Sequence, residues 1–78
     1  MTSVTMFTTP YCAYCKMAKI FFEKHNIEYS EKDVAADTVA RDDMIKKSGQ
    51  FGVPVFEING KIIIGFDQSR LKESLGIS

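Results

Sequence analysis

The chain has 78 residues, ten basic and ten acidic side chains, no formal net charge, and 45% hydrophobic residues including six Phe. This suits one small folded domain over residues 1–78 with an apolar core, and is too apolar for a disordered chain. The balanced charge, without a dense basic cluster, argues against nucleic acid or a charged membrane surface, and no apolar run approaches the ~18 residues of a membrane span.

Residues 3–8 (Ser-Val-Thr-Met-Phe-Thr) favour a strand, which Pro10 ends. Met1 to Val4 enter it directly, without the charged and apolar stretches of an export leader, so a reducing cytoplasm is the expected compartment. From Cys12 to about His25 the spacing turns helical. Cys15, Ala18 and Phe22 fall at i, i+3 and i+7 with Phe21 beside them, and Asn26 is the expected stop. Residues 27–33, with Ile27 and Tyr29 in alternation, read as a second strand. Asp37 or Thr38 caps a second helix whose apolar stripe is Ala40, Met44 and Ile45, and Gly49 ends it.

Val55-Phe56-Glu57-Ile58 and Lys61-Ile62-Ile63-Ile64 flank Asn59-Gly60, the pattern of a hairpin with a type I′ turn. Gly65-Phe66-Asp67 leads into a last helix with Asp67 at its N-cap and Leu71 and Leu75 facing the core. The expected order is βαβαββα, an α/β fold with no internal repeat or linker.

The chemistry-bearing feature is Tyr11-Cys12-Ala13-Tyr14-Cys15-Lys16, which holds the only two cysteines. It lies after a strand and opens a helix. A helix N-terminus presents unpaired N–H groups and the positive end of the dipole, which stabilise a thiolate, the reactive form of cysteine. In a reducing compartment a close pair is catalytic or metal-binding rather than a scaffold staple. As a redox pair, Cys12 is the nucleophile, and Cys15, one turn on and more shielded, resolves the mixed disulfide. Lys16 and Lys19 add positive charge on the same helix.

The C-x-x-C is also half of a zinc site, but zinc takes four ligands, and the sole histidine, His25, stands at the far end of the helix. No metal site is expected within one chain. A pure interaction module would need neither cysteine. Glu28, Glu31, Lys32, Arg41, Asp42 and Asp43 read as solvated faces.

With C-x-x-C after the first strand, Val53-Pro54 before the third and the Asn-Gly hairpin, the chain resembles a glutaredoxin-like redoxin of the thioredoxin fold. It is similar to the small YruB and NrdH-redoxin type. Tyr14-Cys15-Lys16-Met17-Ala18-Lys19, Met44-Ile45-Lys46-Lys47-Ser48-Gly49, Gly52-Val53-Pro54-Val55 and Gly65-Phe66-Asp67 carry the likeness. The resemblance implies a four-stranded mixed sheet flanked by three helices and a cis Val53–Pro54 peptide beside the cysteines. It implies a dithiol–disulfide oxidoreductase with a redox-active Cys12–Cys15 disulfide and no tightly bound cofactor, acting as a monomer.

It also implies that Tyr14, Gly65, Phe66 and Asp67 border the substrate groove. The Val53 backbone takes an extended substrate as an added strand, and Pro54 keeps metal from the sulfurs. Phe66, Phe51 and Tyr11 are candidates for an apolar docking surface, with Phe51 expected in the core. Glutathione-using relatives carry Lys three residues before the first cysteine, Thr-Val-Pro, and a Gly-Gly pair before acidic residues. This chain has Thr9, Gly52-Val53-Pro54 and Ile64-Gly65-Phe66-Asp67-Gln68. A lost Lys–carboxylate contact is hard to replace with Thr. The expected electron donor is therefore a flavin-dependent thioredoxin reductase rather than glutathione. Ribonucleotide reductase and peroxiredoxins are substrates by analogy alone. Two alternatives stand beside this: a glutathione-dependent glutaredoxin, and an iron–sulfur cluster bridging two chains through Cys12.

Overall fold

The structure, a computed structural model, describes residues 3–77. Its elements are β1 (Val4–Thr8), α1 (Ala13–Lys24), β2 (Ser30–Asp33), α2 (Thr38–Ser48), β3 (Val55–Ile58), β4 (Lys61–Ile64) and α3 (Gln68–Leu75). The strands form one four-stranded sheet in the order β2-β1-β3-β4. β1 runs parallel to β2 and antiparallel to β3, and β3 is antiparallel to β4. The expected order and mixed sheet are both present.

Side-chain alternation along the strands builds two cores. Val4 and Met6 of β1, Phe56 and Ile58 of β3 and Ile63 of β4 meet Ala18, Phe21 and Phe22 of α1 and Leu71 of α3. Phe7 and Val55 turn to the other face and meet Val34, Ala40 and Met44. Helices α1 and α3 therefore cover one face and α2 the other. A strand covered on both faces carries apolar residues in succession, which is why β1 reads Val-Thr-Met-Phe rather than strictly alternating. Phe22 is the hub of the first core, its ring centroid 5.0 Å from Tyr29, 5.7 Å from Phe56 and 5.8 Å from Phe21.

The element ends follow the expected chemistry. Asp37 accepts a hydrogen bond from the Ala40 N–H at 3.1 Å, and Asp67 from the Arg70 N–H at 3.2 Å. Each satisfies an otherwise unpaired first-turn donor. Asn59 (φ 50°) and Gly60 (φ 87°) both have the positive φ of a type I′ turn. The Asn59 N–H donates to the Ser3 carbonyl at 3.0 Å and its side-chain oxygen accepts from the Ser3 N–H at 2.9 Å, which ties the turn to the start of the sheet.

Two expectations are corrected. The second strand is Ser30–Asp33, shorter than residues 27–33. Ile27 and Tyr29 pack on the first core before the strand begins. The strand's residues, Ser-Glu-Lys-Asp, are held by backbone pairing to β1, from Thr5 with Ser30 to Thr8 with Asp33. Phe51 lies outside the core and is 80% exposed. It stands in the segment between the left-handed end of α2 at Gly49 (φ 74°) and β3.

Candidate active site

The register of the sheet gathers the expected site residues at one end. Phe7 pairs with Val55, and Val55 with Ile64. Thr8 at the end of β1 and Thr9 after it, Val53 and Pro54 before β3, and Gly65 and Phe66 after β4 therefore share that end, with neighbouring strands ~4.8 Å apart. The Gly65 N–H donates to the Pro54 carbonyl at 2.9 Å, and the Val34 N–H to the Thr8 carbonyl at 2.9 Å. The peptide between Val53 and Pro54 is cis, and Pro54 is fully buried while Val53 is half-buried.

Cys12 is the N-cap of α1, with extended backbone (φ −96°, ψ 111°). Its sulfur accepts a hydrogen bond from the Cys15 N–H at 3.1 Å. The position is one that Ser, Thr, Asp or Asn usually fill, so the sulfur takes the place of a capping oxygen. That N–H and the positive end of the helix dipole both lie at the sulfur. The first turn has no acidic residue to oppose it. Both cysteines are free thiols. Cys12 is half-buried, and Cys15, 1% exposed, lies within the protein.

The Cys15 thiol is pushed up from 9.0 to about 11, first by burial and then by its hydrogen bond with Cys12. Hydrogen bonds to the Thr8 hydroxyl and the Thr9 backbone pull it part of the way back. Burial disfavours the thiolate, so at neutral pH Cys15 keeps its proton. The two sulfurs are thus unlike: one reaches solvent at a helix tip, the other is shielded and protonated.

Around them Tyr14 is 62% and Tyr11 90% exposed, which leaves both on the surface. Phe66 is half-buried, its ring edge-on to Phe21 at 6.0 Å. Asp67 is exposed and spends its carboxylate on the α3 cap. Phe51, Thr9, Arg41 and Ile45 line a cavity of about 500 Å³ with Val34 and Ala35. Lys16 is exposed, and Lys19 is ion-paired with Glu31, so Glu31 is a partner rather than a merely solvated charge. His25 is the C-cap of α1, roughly 20 Å from Cys12 at 1.5 Å per residue. Among the described residues no three His, Cys, Asp or Glu side chains gather as metal ligands.

Three residues of this end escaped the sequence reading. Thr8 is a buried polar residue, 3% exposed, next to the Cys15 sulfur. Gln50 grips both backbone groups of Gly52: its oxygen accepts from the Gly52 N–H at 2.6 Å and its amide donates to the Gly52 carbonyl at 3.1 Å. Ser48 holds Gln50 in turn, its hydroxyl 2.9 Å from the Gln50 carbonyl and 3.2 Å from the Gln50 amide nitrogen. The stretch leading to Pro54 is thereby braced by side chains. An i, i+2 side-chain clamp leaves no periodic trace in sequence. A Thr in a strand otherwise buried on both faces was the available signal for Thr8.

The Glutaredoxin family model matches residues 4–63. The chain belongs to the glutaredoxin family. It is 37% identical over 68 residues to a glutaredoxin-like 8.6 kDa protein of a Clostridium pasteurianum rubredoxin operon, covering 87% of this chain and 91% of that one. It is 31% identical over 67 residues to glutaredoxin 3 of Escherichia coli, covering 86% of this chain and 81% of that one. The T8A mutant of the thioredoxin-like protein BC3987 superposes over 100% of both chains with a TM-score of 0.92 at 28% identity. The fold is the thioredoxin fold. As a glutaredoxin-family protein with a Cys12–Cys15 pair, it is a thiol–disulfide oxidoreductase acting on disulfide substrates.

Proposed function

We propose that this glutaredoxin-family protein reduces protein disulfides with Cys12 as the attacking sulfur and Cys15 as the resolving thiol. The proposal adds that a flavin-dependent thioredoxin reductase, rather than glutathione, recharges it in the cytoplasm. The observation that carries the roles is the asymmetry of the sulfurs. Cys12 caps the helix and accepts the Cys15 N–H, while Cys15 is buried and pushed up to about 11.

Cys12, as thiolate, attacks one sulfur of the substrate disulfide. That S–S bond breaks, a Cys12–substrate disulfide forms, and the released substrate sulfur takes up a proton. Cys15 then loses its proton and attacks the Cys12 sulfur. The Cys12–Cys15 disulfide forms, and the second substrate sulfur leaves and is protonated. The substrate gains two electrons and the protein loses two, which the reductase returns. No tightly bound cofactor is needed, and the protein acts as a monomer. Val53 presents backbone to an extended substrate segment, with Tyr14, Gly65, Phe66 and Asp67 at its borders.

The choice of reductant is supported by the same end of the sheet. Thr9 supplies no cation where glutathione-using relatives have Lys. Gly52 replaces the Thr of Thr-Val-Pro, and a side chain there would put its Cβ 2.8 Å from the Gln50 oxygen. A Thr there would have to displace the Gln50 side chain and with it the brace. The test supplies the oxidised protein with NADPH and thioredoxin reductase, or with NADPH, glutathione and glutathione reductase, using insulin as substrate. Thioredoxin reductase is expected to sustain rapid NADPH consumption. Turnover with the glutathione system alone would overturn the choice of donor.

A further inference from the structure

We propose that the groove between α1 and α3 is the docking site for an acidic segment, anchored by an apolar side chain, of the disulfide-bearing partner protein. The proposal rests on the disulfide-reducing function above and adds where the partner lies. The groove encloses about 400 Å³. Its floor is the edge-to-face pair Phe21 and Phe66, and its α1 wall carries Met17 and Ile20, which are 47% and 64% exposed. Lys24 from α1 and Lys72 from α3 stand on opposite sides, and no lining residue is acidic.

Charge complementarity selects the occupant. Lys19 and Lys47 have acidic partners: Glu31 for the first, Asp43 and Glu57 for the second. Among the described residues Lys24 and Lys72 have no such partner. A trough with an apolar floor, two unmatched cations and no carboxylate suits an acidic segment with an apolar residue to bury. A basic or neutral one would leave the cations unanswered.

The groove also continues from the reactive end. Tyr14, Met17 and Ile20 are exposed apolar residues three apart along α1, beginning two residues after Cys12. Phe66 follows Gly65, which is bonded to Pro54. A partner with its disulfide over Cys12 lays its flanking chain along α1, a helix of roughly 18 Å. The cations steer its approach.

The test uses nitrogen-labelled Cys12→Ser protein, which cannot start exchange, so binding is read apart from chemistry. The probe is a short synthetic peptide with a Leu-Phe pair flanked by Glu and Asp. A second peptide carries Lys in place of the acids. The acidic peptide is expected to shift the amide signals of Met17, Ile20, Lys24, Phe66 and Lys72, and the basic peptide to leave them unmoved. Adding Lys24→Glu and Lys72→Glu is expected to weaken the acidic peptide about tenfold or more at low salt. Met17→Ala with Ile20→Ala is expected to weaken it at any salt.

Equal response to both peptides, shifts confined to other surfaces, or unchanged affinity in the Lys variants would overturn the proposal. So would shifts of the same signals with protein concentration alone, which would assign the groove to a second copy. Reduction of a small disulfide by the unmodified protein tests the underlying function separately. Absence of that reduction with peptide binding intact would sink the function and not the groove, and the reverse pattern would sink only the groove.

Discussion

Raising the pH should destabilise the reduced protein through Cys15, and the size of the effect follows from its burial. The thiol moves from 9.0 in the open chain to about 11 in the fold. Above pH 9 the unfolded chain loses a proton that the folded chain keeps, so the unfolded state binds fewer protons and stability falls as pH rises. The contribution is complete below pH 9 and gone once pH passes about 11. At 1.36 kcal/mol per pH unit the full loss is about 2–3 kcal/mol, of which about 2 kcal/mol is reached by pH 10.5.

Tyr29, pushed up mainly by burial, and Lys19 and Lys47, held up by their acidic partners, weaken the fold in the same alkaline range. The comparison must therefore be with Cys15→Ala, which keeps those groups. Urea unfolding of both proteins, kept reduced with a phosphine, at pH 7.5 and pH 10.5 isolates the effect. With a urea slope of about 1 kcal/mol per molar, the wild-type midpoint should fall about 2 M further than that of the variant. Parallel falls in the two proteins would refute the reasoning, because the Cys15 thiolate would then be no worse off inside than out.

Removing the hub of the first core, Phe22→Ala, should cost about 3–5 kcal/mol, a large share of a small domain's stability, read as a collapse of the thermal midpoint. Asp37→Ala removes the cap on Ala40 and should cost about 1 kcal/mol in urea melts. Thr8→Val keeps the shape and removes the hydroxyl that favours the Cys15 thiolate. Rapid quenching and mass spectrometry should find the mixed disulfide living longer. Gln50→Ala frees Gly52, and the KM for a protein disulfide should rise about two- to tenfold with little change in kcat. An unchanged KM would show that the brace does not shape the substrate's strand.

What was legible in the sequence was what local chemistry decides. Asn59-Gly60, Asp37, Asp67 and Gly49 each have one backbone job, and each does it. The buried stripes on α1 and α2 were legible because helical spacing exposes them: Cys15, Ala18 and Phe22, then Ala40 and Met44. The alternation of Ile27 and Tyr29 starts β2 three residues too early, whereas Ser30–Asp33 is a strand through its backbone pairing to β1. Phe51 has a residue type that suggests burial, but it lies in the connection between α2 and β3, outside both cores, and is exposed. The placement of Cys12 at the head of α1, with Cys15 one turn on, was readable from spacing and position. Thr8 and the Ser48–Gln50 brace were not, since their roles arise when distant segments meet or when a side chain copies a backbone partner.

The central claim is that the half-buried, helix-capping sulfur of Cys12 attacks and the fully buried one of Cys15 resolves. The direct measurement presents an oxidised protein substrate to reduced Cys12→Ser and Cys15→Ser variants and reads covalent adducts by non-reducing electrophoresis and mass spectrometry. The account predicts a lasting substrate adduct on Cys12 in Cys15→Ser and none in Cys12→Ser. An adduct on Cys15 in Cys12→Ser, with none in Cys15→Ser, would contradict it.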